Sequence, residues 1–130
     1  AEELALTKFE AFDVVLCLEV IEHVDNPADF IKNLNHLLKV DGMIIISTIN
    51  RTIKAHLLAI TVAEYLFGCV PKKTHNYKKF LKPSEINSMF DSNQMQLVDL
   101  QGLNFNLFTQ SWVLSDDIAV NYFAYFKKFN

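Results

Sequence analysis

Phe12-Asp13-Val14-Val15-Leu16-Cys17-Leu18-Glu19-Val20-Ile21-Glu22-His23-Val24-Asp25-Asn26-Pro27 is the stretch whose reading decides the fold. Phe12 to Leu18 is an apolar run rich in β-branched residues. It predicts a strand buried on both faces, as in a parallel sheet. Asp25-Asn26-Pro27 then supplies a helix start, with Asn26 as N-cap and Pro27 at the first helical position. Phe30, Ile31, Leu34, Leu37 and Leu38 follow at helical spacing and make one apolar stripe. Asp41-Gly42 ends that segment, and Met43 to Ser47 is a second buried-strand candidate. Strand, helix of about three turns and strand make a βαβ unit, whose crossover is right-handed. The fold class is α/β.

Beyond this unit, Ile53 to Phe67 predicts a helix apolar on most of its circumference, and Pro71 to Phe80 a basic loop. Lys82-Pro83-Ser84-Glu85 opens a short helix running to Phe90. Met95 to Phe105 and Ile118 to Phe126 are strand candidates joined by a polar connection, and they pair as an antiparallel end to the sheet. No repeat, low-complexity tract or linker interrupts the chain, so residues 1–130 read as one domain. A strand buried on both faces needs neighbours on each side, and only one further parallel strand is evident. Two parallel strands are not a stable sheet alone. The expectation is that strands lie upstream of Phe12 or come from a partner.

The 130 residues, 51% hydrophobic and 21% charged, suit a folded domain rather than a disordered one. A net charge of −3, with no interleaving of basic and aromatic residues, argues against nucleic-acid binding. Cys17 and Cys69 form no CxxC pair, which points to a reducing compartment, with Cys17 as a small buried hydrophobe. Ala1 to Glu10 lacks the apolar core of a signal peptide. No apolar run reaches the roughly 20 residues of a bilayer span.

In open α/β sheets, ligands bind at the carboxyl ends of the strands. Glu19, Glu22 and His23 stand there at i, i+3 and i+4, so one helical turn would bring their side chains to one side. Two carboxylates and an imidazole can ligate a divalent cation, Mg²⁺ by the oxygen-rich pair, with Mn²⁺ or Zn²⁺ admitted by the histidine. They can equally serve as a general base, His23 titrating near neutrality with a glutamate orienting it. A third reading makes Glu22 and His23 local caps of the strand end.

Phe12-Asp13-Val14-Val15, Leu18-Glu19-Val20-Ile21-Glu22-His23-Val24 and Asn26-Pro27 resemble the fourth strand and following loop of class I S-adenosylmethionine-dependent methyltransferases. Further segments are similar to one branch of that superfamily, the ubiquinone-biosynthesis O-methyltransferases. They are Ser47-Thr48-Ile49-Asn50-Arg51, Ala63-Glu64-Tyr65, the run from Val70 to Pro83, Gly102-Leu103-Asn104-Phe105-Asn106 and Val120-Asn121-Tyr122-Phe123. The resemblance implies the C-terminal half of a Rossmann-like fold, and methyl transfer from S-adenosylmethionine to a phenolic oxygen of a polyprenylated catechol or demethylubiquinol. It implies that Leu18 contacts the adenosine part of the cofactor and that Glu19, Glu22 and His23 hold a divalent metal such as Mg²⁺. On the general-base reading of the residues, His23 and Glu22 are the catalytic candidates. His75 is a second base candidate. The family's glycine-rich turn and ribose-binding carboxylate follow its first two strands. The glycines here, Gly42, Gly68 and Gly102, are too scattered to form that turn. The first three strands are missing from the sequence as well.

Ile53 to Phe67, about 22 Å as a helix, is too short to span a bilayer. It can lie on an anionic surface, because Lys72, Lys73, Lys78 and Lys79 follow it and each adds about 1 kcal/mol there. The alternative is a helix packed in the core of a larger protein. The expected partners are the polyprenylated phenol, an anionic membrane, and either a ubiquinone-biosynthesis complex or a separate N-terminal half. The expected location is cytoplasmic, peripheral on a bacterial inner membrane, or the matrix side of the mitochondrial one. Competing readings are a non-catalytic remnant, a membrane- or partner-binding fragment, and a methyltransferase for another phenol or lipid.

Overall fold

The structure, a computed structural model, describes residues 2–52, 55, 80–106 and 109–129. Helix α1 (Glu2–Thr7) precedes strand β1 (Phe12–Leu18), a 3-10 turn (Ile21–His23), helix α2 (Pro27–Leu37) and strand β2 (Leu38–Ile49). Helix α3 (Pro83–Asp91) and strands β3 (Met95–Asn106), β4 (Ser111–Ser115) and β5 (Asn121–Lys128) follow. The strands form one sheet in the order β1-β2-β5-β3-β4. β1 and β2 are parallel, and every other pairing is antiparallel.

The βαβ unit forms for the reasons its sequence states. Asn26 accepts a hydrogen bond from the Asp29 amide at 3.2 Å, and Pro27 occupies the first turn. Ile31, Leu34 and Leu37 are buried along one side of α2. At α3 the Lys82 amide donates to Glu85 Oε2 at 2.8 Å, the half of a capping box available to a residue whose side chain cannot accept. One core results. Ile31 and Leu34 of α2 and Ile86 and Phe90 of α3 meet Cys17, Ile44, Ile46, Tyr122, Ala124 and Phe126 of the sheet. Phe90 stacks on Phe126 with centroids 3.9 Å apart.

Several expectations need correction. Leu38 is not the last residue of the helical stripe but the first of β2, so helix and strand follow one another without a loop. Asp41-Gly42 therefore does not separate helix from strand. It lies inside β2, where the register against β1 shifts and Asp41 adopts φ 63°. Within these residues β1 is the edge strand of the sheet, with Cys17 alone fully buried and Leu16 62% exposed. β3 and β5 do pair antiparallel, but their connection holds the strand β4, which sequence reading took as a polar link. β5 also sits between β2 and β3, so the antiparallel part is three strands wide.

Candidate functional site

The carboxyl ends of β1 and β2 lie side by side, and the residues just beyond β1 are held to the end of β2. Glu19 takes φ 53°, a left-handed conformation that costs a non-glycine residue roughly 1–2 kcal/mol. Three hydrogen bonds to one residue offset that cost. The Glu19 amide donates to the Ser47 carbonyl at 3.0 Å and to Ser47 Oγ at 3.1 Å, and Ser47 Oγ donates to Glu19 Oε1 at 2.7 Å. The chain then turns into the 3-10 segment, with the His23 amide donating to the Val20 carbonyl at 2.9 Å. Ile21 and Glu22 are carried inward while His23 stays exposed.

Glu22 is 4% exposed, and its Oε2 accepts from Thr48 Oγ1 at 2.9 Å. Its charge is felt by two core neighbours. Burial first, then Glu22, pushes the Cys17 thiol up to about 11. Burial first, then Glu85 and Glu22, raises the Tyr122 phenol well above its ordinary value. Tyr122 is fully buried, pairs with Thr48 across β5 and β2, and donates through its hydroxyl to the Leu81 carbonyl at 2.9 Å.

Among the described residues, no group of three or more His, Cys, Asp and Glu could hold a metal ion. The expectation that Glu19, Glu22 and His23 make one ligand set is corrected accordingly. The helical spacing assumes an α-turn beginning at Glu19. The chain instead makes a left-handed kink at Glu19 and starts its tighter turn at Ile21, which sends the side chains apart. The three residues do not fit a shared ion.

Leu18 and Val20 are each more than 40% exposed, an apolar surface beside the Glu19 kink. Asn50 anchors the end of β2: its amide donates to the Val120 carbonyl at 2.7 Å and its Nδ2 to the Ile118 carbonyl at 2.8 Å. Arg51 pairs with Glu85, tying β2 to α3. Sequence reasoning gave Asn121 no role. It opens β5 opposite Ile49 at the same end of the sheet, and its buried Oδ1 has no hydrogen-bond partner among the described residues. The available signal was one amide among the aromatic and apolar residues of Asn121-Tyr122-Phe123-Ala124-Tyr125-Phe126. His75, Cys69, the Ile53 to Phe67 segment apart from Ala55, and Lys72, Lys73, Lys78 and Lys79 lie outside the described residues.

Residues 2–103 match the family model described as a methyltransferase domain. The chain is 57% identical over 118 residues to the "Ubiquinone biosynthesis O-methyltransferase" of Rickettsia bellii (strain OSU 85-389), covering 90% of this chain and 49% of that protein. It is 55% identical over 127 residues to the protein of the same name in Rickettsia typhi, covering 98% and 51%. The chain thus spans about half the length of the curated relatives it matches. Among solved structures it is similar to a SAM-dependent methyltransferase of Thermotoga maritima, a "possible histamine N-methyltransferase", with TM-score 0.64, 17% identity and coverage of 93% and 58%. It is also similar to the magnesium protoporphyrin IX methyltransferase of Synechocystis PCC 6803 "with bound SAH", with TM-score 0.57, 17% identity and coverage of 95% and 48%. These structural likenesses show the fold alone: the chain has the C-terminal portion of the α/β fold of such methyltransferases.

Proposed function

We propose, from the premise that this chain belongs to the methyltransferase-domain family, that it forms the acceptor side of an S-adenosylmethionine-dependent O-methyltransferase acting on a polyprenylated catechol or demethylubiquinol. The observation that carries the reading is the 57% and 55% identity to two relatives named for O-methylation in ubiquinone biosynthesis. No glycine-rich turn stands in these residues, so the chain offers one wall of a donor site. The remainder belongs to the half of the relatives' length that it does not span. β1 supports that partnership, since one edge of it is unpaired within the sheet and Val14, Leu16 and Leu18 expose apolar side chains.

S-adenosylmethionine, when bound, supplies a methyl already activated on a sulfonium. The residues here then have three tasks: to line the donor, to align a phenolate and to take its proton. Leu18 and Val20 offer apolar surface to the adenosine. Glu19, locked by Ser47, presents a carboxylate in a fixed place for hydroxyl donors. His23, exposed on the turn, is the proton acceptor. Asn121 Oδ1 is an acceptor for the phenol on the neighbouring strand. No step is routed through a metal, because the expected ligands do not converge.

The polyprenyl tail places this substrate in a membrane, and we assign the chain to an anionic membrane surface. Among the described residues no helix is long and apolar enough to cross a membrane. The support for surface docking is the sequence of Lys72, Lys73, Lys78 and Lys79 behind an apolar segment. The test is reconstitution. The chain is mixed with the complementary half of the Rickettsia bellii relative and given S-adenosylmethionine and a prenylated catechol. Formation of the singly methylated ether is expected. A mixture that forms a folded complex and binds S-adenosylmethionine, yet methylates no catechol, would refute the substrate assignment.

A further inference from the structure

The two glutamates beyond β1 are held by consecutive residues of β2, Ser47 for Glu19 and Thr48 for Glu22. Consecutive side chains on a strand project to opposite faces. The face of Thr48 is also that of Ile44 and Ile46, which pack in the core with Tyr122 and Cys17. The face of Ser47 is that of Met43 and Ile45, neither of them fully buried. Glu22 is therefore drawn to the core side of the sheet and Glu19 to the other side, although only two residues separate them.

A buried carboxylate is costly unless it is hydrogen-bonded, so Glu22 must contribute something that an apolar residue would not. The fully buried Thr48 hydroxyl has a matching need for an acceptor. Their bond closes a loop between residues 26 positions apart. Between them, the Ser47–Glu19 and Thr48–Glu22 pairs clamp both ends of the segment Glu19–Glu22 onto β2. The segment cannot swing away without leaving a buried hydroxyl and a buried carboxylate unpaired.

The geometry points to Glu22 as a positioning residue: held by Thr48 on the core face, it fixes the turn between the kink at Glu19 and the exposed His23, and it shares no ion with them. The role deepens the methyl-transfer reading, since Glu19 and His23 are the groups being positioned. The tether itself is testable without methyl transfer.

The test is a double-mutant cycle on this chain by urea unfolding, with Glu22→Ala, Thr48→Val and both together. A hydrogen bond to a buried charge implies that each single change shifts the unfolding equilibrium roughly ten- to a hundredfold. The double change should shift it little more than the larger single one. Glu22→Gln keeps a carbonyl acceptor for Thr48, so it should fold even where Glu22→Ala does not, and should recover most of the loss. Thermal unfolding with and without millimolar Mn²⁺ supplies the second readout, with wild type and Glu22→Gln expected to respond alike. Additive single effects would overturn the tether, as would a Mn²⁺ stabilisation of wild type that Glu22→Gln abolishes. In the reconstituted enzyme, Glu22→Gln should preserve the shape of the pH–rate profile, whereas a shifted profile would make Glu22 part of the proton path. If reconstitution gives no methyl transfer, the function is wrong, and the cycle still decides the tether.

Discussion

Cys17 lies on the core face of β1, 4% exposed, and the burial and the Glu22 carboxylate together push its thiol from 9.0 to about 11. At pH 8 the thiolate fraction is then about one in a thousand, against about one in ten at the ordinary value, a difference of roughly a hundredfold. Alkylation by iodoacetamide, measured in a Cys69→Ser background, should be slower than that of the urea-unfolded chain by at least this factor. Its rate should still climb tenfold per pH unit at pH 10. Glu22→Gln should raise the rate only in part, because burial is the larger cause. The same shift bears on stability. The folded thiol holds its proton above pH 9 while the unfolded one releases it, so stability falls as pH rises from about 9 to 11, by roughly 3 kcal/mol in total. Tyr122, also raised, adds a loss of the same sign above pH 10, so the Cys17 slope is read between pH 9 and 10 and should vanish in Cys17→Ala. An alkylation rate matching the unfolded chain, or one that levels off near pH 9, would refute this account of the core face.

Gly102 stands where β3 meets the connection into β5. A Cβ there would come within 1.9 Å of the Asp117 carbonyl oxygen, so Gly102→Ala should cost roughly 2–3 kcal/mol and visibly lower the thermal midpoint. An unchanged midpoint would mean that the connection gives way freely. Replacing Lys72, Lys73, Lys78 and Lys79 with Glu should abolish co-sedimentation with anionic vesicles, and undiminished binding would remove the membrane assignment. An exposed polar change, such as Gln96→Ser, is expected to leave vesicle binding unaltered and serves as its control.

The βαβ unit was legible because each signal there is local: the Asn26-Pro27 start, the stripe of Ile31, Leu34 and Leu37, and the apolar run of β1. Leu38 misled because an apolar residue at helical spacing can equally begin a strand, and nothing in the pattern marks the handover. β4 escaped because its five residues are mostly exposed and carry no buried-versus-exposed alternation. The separation of Glu19 from Glu22 depends on Ser47 and Thr48, far along the chain, and on a left-handed residue with no glycine to announce it. Spacing along the sequence predicts a shared face only where the backbone is helical through all the residues concerned. Here it is not.

The central claim is that this chain completes a methyl-donor site whose other wall lies in the half of the relatives that it does not span. Calorimetric titration of S-adenosylmethionine measures that directly, into the chain alone and into the chain combined with the complementary half of the Rickettsia bellii relative. The account predicts micromolar binding to the combination, weakened when Leu18 is replaced by Asp. Binding to the combination that is indifferent to Leu18, or no binding to a folded combination, would contradict it.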